Sequence, residues 1–113
     1  MKYLYGEFSD KQIELNAALM HSEIHRLLLH KDPKVTEEIF ASNEDFVNYF
    51  SNLLIRYGGL NELLGEPDNM VALMSTLQAA YDESQSADFR FKVFRRLILD
   101  AHGYIKHMFS EEV

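Results

Sequence analysis

The sequence contains no cysteine, only two prolines and five glycines among 113 residues, and no long apolar run. Without cysteine there is no disulfide, no zinc–thiolate cluster and no cysteine nucleophile, which fits a reducing compartment; the expected location is cytoplasmic. No apolar stretch approaches the ~18 residues that a spanning helix needs. Met1 to Phe8 carries one lysine and no apolar run, so neither a signal peptide nor a membrane anchor is expected. The only Gly-Gly pair, Gly58-Gly59, has no lysine after it and matches no phosphate cradle. HExxH is absent, as are the paired Glu-x-x-His units of di-iron bundles and any His-Asp dipeptide of the kind a phosphohydrolase of the HD class uses.

What is present is 47% hydrophobic and 26% charged, too apolar for a disordered chain and ordinary for a globular one. A chain of this length buries roughly two-thirds of its unfolded surface, so one domain over residues 1–113 needs neither disulfide nor structural metal. The formal charge of −7 is unevenly spread. Residues 1–89 hold 15 acidic and 6 basic side chains, a net −9, whereas residues 90–113 hold 3 acidic and 5 basic ones, a net +2. The body repels nucleic acid and anionic membrane, and only the last segment attracts an acidic partner. Alternatively, that basic segment lies against the acidic body and lowers its self-repulsion.

Helical periodicity recurs in four stretches. The spacing predicts one amphipathic helix over Phe89–Phe109, with Phe91, Phe94, Ile98, Ala101, Ile105 and Met108 as its apolar seam and Lys92, Arg95, Arg96, His102, Lys106 and His107 on the opposite arc. An earlier helix begins at Ser9, where Ser9 to Gln12 has capping-box form, and ends at Asp32-Pro33. It repeats Ile13, Ala17, Met20, Ile24 and Leu27 on one side and carries Leu15, Leu19 and Leu29 on the other. Such two-sided apolarity marks a helix central in a bundle or one that makes an intermolecular contact. Pro33 to about Ala41 reads as a short helix, and Ser42 caps a longer one that Gly58-Gly59 breaks, leaving Leu60–Leu64 as an extra turn. Gly65-Glu66-Pro67-Asp68 is a connector. The stripe of Met70, Leu73, Met74, Leu77 and Tyr81 follows, and Ser86 or Asp88 is expected to cap the last helix. Met1–Phe8 reads as an extended arm that packs aromatics on the bundle. The expected fold is an all-α single-domain bundle of four main helices plus one or two short ones.

Chemistry-bearing candidates are few. His21 and His25 are four apart on a stripe with Glu14, the spacing with which two imidazoles share a metal, yet further ligands from His102, His107 or Asp100 require an inward turn that the charge of the last helix opposes. Serines 9, 42, 84 and 86 sit where caps belong, and no carboxylates form a recognisable acid–base pair. The expectation is a protein without catalytic residues, metal or cofactor. Leu99 is ringed by Arg95, Arg96 and Lys106, which marks Arg95, Leu99 and Lys106 as the expected partner-binding residues.

The sequence therefore reads as a non-catalytic bundle that binds another protein, with a homodimer as an option, no direct nucleic-acid binding and no membrane contact. One alternative is a small acidic inhibitor or immunity-type protein that blocks a nucleic-acid enzyme with Glu37, Glu38, Glu44, Asp45, Glu62, Glu66 and Asp68. Another is a metal-binding bundle or metal-dependent enzyme using His21 and His25.

Overall fold

In the computed structural model, which describes residues 2–3, 6–7 and 9–110, four helices follow one another: α1 (Asp10–Lys31), α2 (Asn43–Leu63), α3 (Asp68–Ser84) and α4 (Phe91–Ser110). Ahead of them, β1 (Lys2–Tyr3) and β2 (Gly6–Glu7) pair antiparallel in a two-residue ladder. The extended arm is thus a minimal hairpin. The packing of its aromatics lies outside the described residues.

Local chemistry starts α1 and α2 where the sequence places them. Ser9 Oγ accepts from the Gln12 N–H at 3.2 Å while Gln12 Oε1 accepts from the Ser9 N–H at 2.7 Å, a complete capping box. Ser42 Oγ accepts from the Asp45 N–H at 3.1 Å, and Glu44 and Asp45 occupy the electropositive first turn.

Elsewhere the fold departs from expectation. Residues 33–41 form turns and bends, with no short helix among them. Asp32 accepts from the Lys34 N–H through its carboxylate and from the Val35 N–H through its carbonyl, which turns the chain instead of propagating it. The segment is then held by its side chains. Phe40 packs on His30, Phe46 and Tyr49, and the Arg26 guanidinium lies over Phe40 and Tyr49 and donates to the Ile39 carbonyl at 3.2 Å. Nine residues are too few to repay helix nucleation when such contacts compete.

Gly58-Gly59 does not break α2, which runs unbroken to Leu63. Leu53 and Tyr57 before the pair and Leu64 beyond it are buried, and that burial outweighs a cost of about 1 kcal/mol per helical glycine. The real stop comes at Gly65, with φ 80°, and Glu66, with φ 56°, both left-handed, where the Glu66 N–H returns to the Asn61 carbonyl at 2.9 Å.

Neither Ser86 nor Asp88 caps α4. Ser86 Oγ accepts from the Asp88 N–H inside the connector, and Ser84 Oγ donates to the Tyr81 carbonyl at 2.6 Å at the end of α3. Glu83 secures the start of α4 from the neighbouring helix: its carboxylate accepts from the Arg90 N–H at 2.9 Å and from the Arg90 guanidinium at 3.1 Å. That backbone hydrogen bond holds the Glu83 carboxyl below its usual range.

α4 packs most extensively on α3 and next on α1; α2 lies on α3 and touches α1 lightly. Every seam residue of α4 from Phe94 to Met108 is buried, joined in one core by Met20, Ile24 and Leu27 of α1 and Phe46, Phe50 and Leu53 of α2. Along the light α1–α2 contact the link is polar. Glu23 accepts from the Tyr57 hydroxyl at 3.1 Å and pairs with Arg56, while the Tyr49 hydroxyl donates to the Glu23 carbonyl at 3.0 Å. Since α1 is an outer helix, its second apolar stripe faces solvent: Leu15 is 60% and Leu19 55% exposed. No helix among the described residues is long and apolar enough to cross a membrane.

Candidate functional site

Burial of Ile98, Ala101 and Ile105 against the rest of the bundle fixes the rotation of α4 and thereby what it presents outward. Arg95, Leu99 and Lys106 are all exposed, Leu99 at 42%. Among the described residues Arg95 and Lys106 form no ion pair, whereas Arg96 pairs with Asp100 one turn along at 3.7 Å and Arg90 with Glu83. Among the described residues the acidic body therefore takes up Arg90 but neither Arg95 nor Lys106.

Beside Leu99 the helix surface is hollow. Gly103 lies in the interior of α4, and a Cβ built there meets nothing within 4 Å. The missing side chain leaves an open depression of about 320 Å³ bordered by Leu99, Asp100, Gly103, Tyr104 and His107. A helical glycine costs stability relative to alanine, and at Gly103 no close neighbour excludes a methyl group.

One turn along the same stripe from Leu99, α4 meets α1. His102, placed by periodicity on the outer arc, turns instead toward α1, and its Nδ1 lies 2.7 Å from the Nδ1 of His21 with the rings stacked at 5.0 Å. His25 stands next to them, its ring 6.5 Å from that of His102. The reason is geometric. His102 follows Ile98 by four residues and precedes Ile105 by three, so once those two are buried it must sit at the border of the seam. That spacing was legible in advance, and the overall charge of the helix obscured it. A bond between two Nδ1 atoms needs one of them unprotonated. Burial, and after it the charges His21 and His25 would carry, bring the His102 pKa down to about 4, and burial lowers that of His21 too. At neutral pH the pair is uncharged.

The other candidates are dispersed. No three histidine or carboxylate side chains among the described residues converge so as to hold a metal ion. Glu37, Glu38, Glu44, Asp45, Glu62, Glu66 and Asp68 are all exposed, but they fall in two groups at opposite ends of α2, a helix about 30 Å long. They do not mass on one surface. Arg95, Leu99, His102 and Lys106 succeed one another at spacings of 4, 3 and 4, so one stripe of α4, bordering α1, carries three cationic or protonatable groups around a single exposed leucine. Compared with known proteins, the chain matches no family model, no curated protein sequence and no solved structure.

Proposed function

We propose that this chain is a non-catalytic protein-binding bundle that takes an acidic segment of another protein on the outer face of α4. The observation that carries the reading is the exposed Leu99 beside the hollow at Gly103, flanked by Arg95 and Lys106, which have no ion-pair partner among the described residues. An apolar anchor beside a recess, rimmed by charges of one sign, is the usual anatomy of a small contact site: the anchor supplies burial and the rim supplies orientation.

The test is differential capture. Immobilised wild-type chain, Leu99→Ala and the double variant Arg95→Glu/Lys106→Glu are presented to an extract of the source cells, with circular dichroism confirming that all three are folded. The proposal requires a protein held by the wild type, weakened by Leu99→Ala and lost on charge reversal. A retained set identical for all three variants would reject it. If the occupant is a second copy, sedimentation velocity of the pure chain shows a dimer that Leu99→Ala dissociates.

A further inference from the structure

The three histidines beside Leu99 are not used by the contact just described, and they are reachable: His25 is exposed, and His21 and His102 are partly so. They come from two helices and meet on the flank of the same stripe of α4 that carries Arg95 and Lys106. Around His102 the facing groups from α1 are His21 and His25, with Glu14 two turns before His21. On its own stripe of α4 lie Arg95, seven residues before, and Lys106, four after. α2 reaches α1 on its other flank, through Glu23.

We propose that His21 and His102, with His25 beside them, make this surface a proton-coupled receptor, which binds a carboxylate-rich segment of the partner together with protons taken up by the stacked imidazole pair. It rests on the acidic-partner reading above and adds its regulation. In the free chain the His21–His102 bond accommodates at most one shared proton, because a second leaves no acceptor between nitrogens 2.7 Å apart. Burial of the two rings, and their charge on each other, raise the cost of further positive charge. A carboxylate docked along the stripe reverses that balance: it supplies the missing counter-charge, accepts from the N–H groups and lets the ring pair open, each ring keeping its own proton. Protons bound only in the complex strengthen it as pH falls, by up to tenfold per pH unit for each proton taken up. Partner affinity therefore rises on acidification across the range in which histidine operates as a switch.

Calorimetric titration of the full chain with a synthetic hexa-aspartate peptide, at low salt and at pH 6 and pH 8, tests this. Repeating the pH 6 titration in two buffers of different ionisation enthalpy counts the protons directly on the unmutated protein. The expected result is at least fivefold tighter binding at pH 6 with net proton uptake. His102→Gln should lose most of the pH dependence; Arg95→Glu/Lys106→Glu should lose binding at both pH values. Wild-type binding that is equal at pH 6 and pH 8 without proton uptake overturns the coupling and leaves the acidic-partner site standing. Absence of binding at either pH overturns both. Undiminished pH dependence in His102→Gln assigns the protons to other groups and also overturns the coupling. An oligothymidylate of the same charge that binds equally well would mark the surface as a general anion binder and reject the protein-segment proposal.

Discussion

Gly103→Ala isolates the conflict between stability and binding in α4. Replacing a helix-interior glycine by alanine gains roughly 0.8–1.0 kcal/mol, through helix propensity and a less disordered unfolded chain, provided the new methyl clashes with nothing. At Gly103 that condition is met, since a Cβ finds no atom within 4 Å. A chain of 113 residues unfolds with an entropy of about 0.24 kcal/mol per kelvin, so the substitution should raise Tm by about 4 °C. Gly59, inside α2 and equally free of neighbours at its Cβ, is the internal control: Gly59→Ala should give a gain of the same size. The two sites then separate in function. Gly59→Ala leaves partner binding unchanged, whereas Gly103→Leu, which fills the depression between Leu99 and His107, should weaken it at least tenfold while the chain stays folded. Thermal melts followed at 222 nm and urea midpoints supply the stabilities, and the captured partner supplies the affinities. A Gly103→Ala variant that melts lower than wild type refutes the reasoning, because the position would then need glycine for the fold itself. Full partner binding by Gly103→Leu would remove the hollow from the site.

Three further outcomes follow from the same structure. Ile98→Ala, at a fully buried seam position, should cost about 2–5 kcal/mol by urea denaturation, while the adjacent Leu99→Ala stays within about 0.5 kcal/mol. Glu23→Ala should cost about 1–3 kcal/mol, since it leaves the buried Tyr57 hydroxyl only the Met20 carbonyl at 3.5 Å and strips Arg56 of its partner; recovery of most of the loss in the double variant with Tyr57→Phe would confirm the coupling. His102 has a folded pKa of about 4 against 6.5 for an unperturbed imidazole, so between those values the unfolded chain holds the extra proton and stability falls as pH drops from 6.5 to 4, then levels off. Solvent screening of a half-exposed ring leaves about 1 kcal/mol of this effect, and His102→Gln should flatten the corresponding part of a Tm-versus-pH curve.

What the sequence by itself determined is everything decided within one or two helical turns. The caps at Ser9 and Ser42, the stop at Asp32-Pro33 and the connector at Gly65–Asp68 follow from hydrogen bonds and dihedral limits among residues at most five apart. The seam from Phe94 to Met108 follows from the 3.6-residue period, which also places Arg95, Leu99 and Lys106 on the surface. Tertiary structure decided the rest, because those outcomes depend on energies between residues far apart in the chain. Gly58-Gly59 stays helical because flanking side chains are buried against other helices, and 33–41 stays irregular because Arg26, His30 and Phe46 offer Phe40 and Ile39 better contacts than a nine-residue helix would. Glu83 replaces the expected cap of α4 from seven residues away. His21 and His102 meet across 81 positions only because the antiparallel packing of α1 on α4 sets their heights and rotations together. Periodicity assigns a residue to a face of its own helix; which neighbour that face meets, and at what height, is fixed by interhelical packing.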